Sequence, residues 1–101
     1  MIIAVDFDGT IVSDKYPDIG ILNKELVRYL IMRQENGDKL ILWTCRTGNL
    51  LKQAVRHCEL AGLKFDAINE NLKEVIKHYG GDTRKVFADL YIDDKSTNPN
   101  I

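Results

Sequence analysis

The sequence predicts an α/β fold: a Rossmann-like three-layer sandwich built on a mainly parallel sheet of four or so strands. Two observations predict it. Short continuous apolar runs alternate along the chain with longer segments whose apolar residues recur at three-and-four spacing. The connections between them are short, so consecutive strands are joined by right-handed crossovers and lie parallel. A chain of 101 residues fits one domain covering 1–101.

Ile2 to Phe7 is a β-branched run without polar interruption until Asp6, as expected of a strand buried on both faces. Between Asn23 and Asn36, Leu22, Leu26, Tyr29, Leu30 and Arg33 mark a helical stripe, and Gly37 is placed to end it. Lys39 to Thr44, with Leu40-Ile41-Leu42-Trp43, reads as the second strand. Leu51, Val55 and Cys58, with Ala54 and Ala61 beside them, define a helix over Asn49 to Ala61 that stops at Gly62. Phe65 to Ile68 is a short third strand. Asn71 is expected to cap a third helix carrying Leu72, Val75, Ile76 and Tyr79, which Gly80-Gly81 breaks. Val86 to Ile92 is the fourth strand, and the acidic pair Asp93-Asp94 follows it.

Charge and motif content exclude several classes. The 14 basic and 15 acidic residues give a net charge of −1, so nucleic acid is not indicated by an electrostatic footprint, nor is an anionic membrane. No window is long and apolar enough for a transmembrane helix, and no basic segment precedes the first apolar run as in a signal peptide. Cys45 and Cys58 form no CxxC pair; both are expected to be reduced core residues of a cytoplasmic protein. GxxxxGK[ST], HExxH and GxSxG are all absent, and His57 and His78 have no partner at motif spacing. Neither cysteine is followed six residues later by Arg, as in cysteine phosphatases; those positions hold Leu51 and Lys64.

Ligands of open parallel sheets sit outside the carboxyl ends of the strands. Asp6 and Asp8 fall at one such end, Thr44 at the next, and Asp93 with Asp94 at the last, while Lys85 lies in the loop before the fourth strand. Asp8-Gly9-Thr10 by itself reads as a hairpin turn, with Ile11-Val12 as the return strand. Asp6 changes that reading, because a period of two turns Asp6 and Asp8 to one side, and adjacent like charges need a compensating cation. An oxygen-only cluster of carboxylates suits Mg²⁺.

Asp6-Phe7-Asp8-Gly9-Thr10, Thr44, a downstream Lys and Asp93-Asp94 resemble, in order and spacing over residues 2 to 94, the four motifs of the haloacid dehalogenase (HAD) superfamily. The resemblance implies an HAD-like core and a phosphatase in which Asp6 is the nucleophile, forming an aspartyl-phosphate. Asp8 is then the acid that protonates the leaving group and the base that activates water, with neighbouring carboxylates favouring its protonated form. Asp6, the Asp8 carbonyl, Asp93 and Asp94 are the implied Mg²⁺ ligands. Thr44, Gly9 and Lys85 serve the phosphate, with Lys77 and Lys73 as alternatives to Lys85. Backbone N–H groups of Phe7 and Cys45 are further phosphate donors, and Arg46 is placed either against substrate or in solvent.

Ile11 to Leu22 and Asn69 to Asn71 are too short for the cap domain that many members carry, so the implied form is capless and open, with Ser13 to Gly20 as a small flap. Such a site takes a phosphorylated small molecule or macromolecule, a nucleic-acid end included, and a second subunit of a homo-oligomer is one way to close it. The alternative is a catalytically weak phosphate-binding or regulatory module of the same fold. A receiver domain fits less well, because its acceptor Asp is expected after a later strand.

Overall fold

The computed structural model describes residues 1–79 and 86–93. The elements are β1 (Ile2–Val5), α1 (Lys24–Glu35), β2 (Lys39–Leu42), α2 (Gly48–Leu60), β3 (Ala67–Ile68), α3 (Lys73–Tyr79) and β4 (Leu90–Ile92). The strands lie in the order β3-β2-β1-β4 and every pairing is parallel. Val5 faces Leu42 on one side and Ile92 on the other, which makes β1 an interior strand.

The unbroken apolar runs are explained by two buried faces. Ile3, Val5, Leu40, Leu42 and Ile92 pack with Leu26, Val27 and Leu30 of α1 and with Ala54 and Cys58 of α2. The intervening Ala4 and Ile41 join Ala67, Leu72, Val86 and Ala88 in a second cluster, with Val75 of α3 against it. A strand alternating between two cores needs an apolar side chain at each step. With α1 and α2 over one face and α3 over the other, the fold is a Rossmann-like α/β sandwich. From β1 the chain crosses to β2, whereas β4 arrives on the other flank, so the winding reverses between β1 and β4. Ligands of such sheets bind at the crevice this reversal opens.

Two helices end as their sequences predict. Gly37 (φ 95°) and Gly62 (φ 96°) adopt the left-handed conformation that closes a Schellman motif. In the first, the Asp38 N–H donates to the Arg33 carbonyl and the Gly37 N–H to that of Gln34. In the second, Leu63 donates to Cys58 and Gly62 to Glu59. Asn23 caps α1, its Oδ1 accepting the Leu26 N–H at 3.1 Å. Asn23→Ala is expected to lower stability by about 1 kcal/mol, read as a lower denaturant midpoint at unchanged slope.

Other boundaries differ from expectation. β1 ends at Val5 and not Phe7, because after the Asp6 N–H bonds Ile92 O (2.9 Å) the chain turns, and Phe7 O accepts from Thr10 and Val12. β2 ends at Leu42, after which the Trp43 N–H donates to Val5 O and the Thr44 N–H to Asn69 Oδ1. β4 begins at Leu90 because the Tyr91 hydroxyl takes the Ala88 N–H and donates to Val86 O. α3 starts at Lys73, and buried Asn71 accepts the Phe87 N–H at 2.6 Å, linking the α3 approach to that of β4.

The return strand Ile11-Val12 does not form. Gly9 (φ 80°) turns the chain, and Val12 pairs antiparallel with Leu22. The Ser13 N–H donates to Ile21 O, the Ile21 N–H to Ser13 Oγ and the Asn23 N–H to Ile11 O. Residues 11–13 and 21–23 are thus the base of an arm whose tip is 14–20, the flap expected at Ser13 to Gly20. A Cβ at Gly20 would overlap the Ser13 carbonyl oxygen, so glycine lets the two sides of the arm close. Among the described residues no helix is long and apolar enough to cross a membrane.

Candidate functional site

Asp6, Asp8 and Thr44 line one cleft of about 420 Å³ together with Asp14, Tyr16, Cys45 and Arg46. Asp6 leaves β1 at the point where Asp93 leaves β4, since Val5 and Ile92 are register partners and Asp6 still bonds Ile92 O. The reversal of winding therefore brings the chain at Asp6 beside the chain at Asp93, 87 positions away. Asp6 Oδ1 accepts the Phe7 N–H at 2.8 Å, so that N–H serves the Asp6 carboxylate. The Thr44 hydroxyl accepts the Arg46 N–H at 3.2 Å.

Arg46 is the residue that sequence reasoning undervalued. It is 1% exposed, the largest side chain of the buried interior. Its Nε donates to Asp8 Oδ2 (2.8 Å) and its Nη2 to Asp8 Oδ1 (2.7 Å), a forked pair. Nη1 donates to Pro17 O (3.2 Å) and Nη2 also to Asp18 O (2.8 Å). The guanidinium lies 5.0 Å from the Phe7 ring centroid and 5.2 Å from that of Tyr16. The hydrogen-bonded Asp8 carboxylate raises the Arg46 pKa above its ordinary value, outweighing desolvation by burial.

The Asp8 carboxylate is thus bound on both oxygens by a guanidinium. One signal for Arg46 was present: clustered Asp residues require a cation, and Arg46 stands two positions after Thr44.

The donors at the sheet edge suit a hard cation. The Asp6 and Asp93 carboxylates and the Asp8 carbonyl are all oxygens, and Mg²⁺ takes one or two carboxylates while keeping several waters. Among the described residues no three Asp, Glu, His or Cys side chains converge on one metal position, and the Asp8 carboxylate is turned to Arg46. Lys85 and Asp94 lie outside the described residues. Lys73 lines a separate hollow with Lys39 and Asp66, which precede or begin strands at the opposite rim. Lys77 is exposed on α3. Asp66 and Asp89 are structural, each carboxylate accepting the N–H of a residue in a neighbouring strand, Leu40 and Ile2 respectively.

Cys45 is exposed at the cleft, correcting its expected burial, whereas Cys58 is buried between α2 and the sheet. Burial pushes the Cys58 thiol up to about 12. One thiol per chain, Cys45, is expected to react with a disulfide reagent at pH 8, and the second only in denaturant. Two rapidly reacting thiols in the native protein would contradict this packing.

No family model matches the chain, and no curated protein matches it. A solved structure does: a conserved protein from Bacteroides thetaiotaomicron, 46% identical, aligned over 95% of this chain and 77% of that one, with a TM-score of 0.84. The chain belongs to that protein's family.

Proposed function

We propose that the chain is a Mg²⁺-dependent phosphomonoester hydrolase of the haloacid dehalogenase type. The observation that carries this reading is the meeting of Asp6 and Asp93 at the carboxyl ends of β1 and β4, with Asp8 lining the same cleft as Asp6. An Asp6 carboxylate oxygen attacks phosphorus as the bond to the ester oxygen breaks, and a proton from the Asp8 carboxyl passes to that leaving oxygen. Asp8, now a carboxylate, takes a proton from the water that attacks the aspartyl-phosphate, releasing phosphate and restoring Asp6.

The Thr44 hydroxyl, which accepts from the Arg46 N–H, has its own proton to give a phosphoryl oxygen. Gly9 makes the turn that carries Asp8. Asp6, Asp93 and the Asp8 carbonyl would hold Mg²⁺, with Asp94 in support, and Lys85 would serve the phosphate. Bound Mg²⁺ supplies neutralisation of the charge gathered on nucleophile and phosphoryl group. A short arm in place of a cap domain suits a phosphorylated small molecule or a larger chain end, and reduced thiols suit the cytoplasm.

A second reading is a phosphate-binding or regulatory module of the same fold. It is favoured by the forked pair, which occupies both Asp8 oxygens. Hydrolysis of sugar phosphates, nucleotides, phosphopeptides and p-nitrophenyl phosphate, with Mg²⁺ and with EDTA, separates the two. Turnover that EDTA abolishes and Mg²⁺ restores is the expected result. Orthovanadate binding without turnover on any substrate would replace the first reading by the second, and turnover indifferent to EDTA would overturn the metal assignment.

A further inference from the structure

Arg46 bonds the acidic turn after β1 to the tip of the arm, beyond the link that Val12 makes at the arm's base. Toward β1 it forks onto both oxygens of Asp8 and lies on the Phe7 ring. Toward the arm it donates to the Pro17 and Asp18 carbonyls and lies on the Tyr16 ring. One guanidinium therefore makes four hydrogen bonds, divided equally between the acidic turn and the arm tip. A surface salt bridge would not be built in this way. The side chain is fully buried, lies between two rings, and uses four of the five N–H groups an arginine carries.

We propose that Arg46 is a positioning residue joining the arm to Asp8, so that closure of the arm over the cleft and the aim of the Asp8 carboxylate are a single event. The inference rests on the phosphohydrolase reading for its catalytic consequence and on geometry alone for the linkage. An arm tip displaced from the cleft withdraws two acceptors from the guanidinium and frees it to rotate, and Asp8 rotates with it. An arm seated over the cleft holds the fork, and with it the direction from which Asp8, in the phosphohydrolase reading, meets the ester oxygen. Lysine keeps the charge but is a point donor that cannot span two carboxylate oxygens and two carbonyls. Arg46→Lys is thus the informative variant.

Two measurements test the proposal. The first is amide exchange at Ser13, Ile21 and Asn23, whose N–H groups close the base of the arm. Asp8→Asn, a change outside the arm, is expected to speed their exchange about tenfold, and Arg46→Lys at least as much. The second is first-turnover release of the leaving group, which reports attack by Asp6 and not later hydrolysis. Phenyl phosphate needs a proton on its leaving oxygen and 2,4-dinitrophenyl phosphate does not.

In Arg46→Lys the first is expected to slow about 100-fold and the second less than about fivefold, a split that a general loss of structure would not produce. Equal losses on both esters, or arm amides unmoved in Asp8→Asn, overturn the proposal. Absence of Mg²⁺-dependent turnover in the wild type removes the phosphohydrolase reading alone, and the exchange measurement still decides whether Arg46 is the link.

Discussion

If the proposed phosphatase reading holds, Asp6→Asn is expected to abolish turnover, by roughly four orders of magnitude or more, while leaving the fold intact. The amide matches the carboxylate in shape, and its Oδ1 can still accept the Phe7 N–H that Asp6 Oδ1 accepts at 2.8 Å. Asp6 is half-buried at the edge of the cleft and is not part of either apolar cluster, so its replacement removes no core packing. The loss is chemical. A neutral carboxamide has no anionic oxygen to attack phosphorus, and it gives up one of the oxygen donors proposed for Mg²⁺. Acid-quenched protein incubated with labelled substrate should carry phosphate on the wild type and none on Asp6→Asn, with thermal unfolding midpoints agreeing within a few degrees. Wild-type rates in the variant would transfer the nucleophile's role to another residue.

What could be read from the sequence was what depends on local pattern. Ile3 and Val5 against Ala4, and Leu40 and Leu42 against Ile41, alternate between two cores, so continuous apolar runs marked the strands and their parallel arrangement. Asn23, Gly37 and Gly62 act within a few residues of themselves, and their caps formed where the sequence put them. That Asp6 and Asp93 both fall at carboxyl ends of strands was legible; that β1 and β4 are neighbours was not, and came from the strand order.

What escaped was set by long-range side-chain geometry. Arg46 finds Asp8 across 38 positions, and no periodicity distinguishes a guanidinium that turns inward from one that faces water. Cys45 follows the apolar run of β2 and lies at the cleft, and no local pattern distinguishes its exposed side chain from the buried one of Arg46 beside it. Asn71 has the composition of a helix cap, and the Phe87 N–H that its Oδ1 also accepts is a partner fixed by tertiary packing, which no local pattern reveals.

Arg46→Met is expected to cost about 3 kcal/mol of stability, lowering the thermal midpoint by at least about 10 °C. Methionine fills much of the volume between the Phe7 and Tyr16 rings, so the effect is chiefly electrostatic. It strips Asp8 of both its guanidinium bonds and leaves the Pro17 and Asp18 carbonyls without that donor. Removing one member of a buried pair costs about 3–5 kcal/mol because the other charge is left uncompensated. The Asp8 side chain is 19% exposed, so water relieves part of that cost and the low end of the range applies. The second replacement discriminates the cause: Asp8→Asn in the Arg46→Met background should recover part of the lost stability, because a neutral amide is less costly to leave unpaired. A double variant no more stable than Arg46→Met alone would assign the loss to the arm carbonyls and ring contacts instead of to Asp8. Chemical denaturation of the four proteins, wild type, both single variants and the double, yields the coupling energy directly.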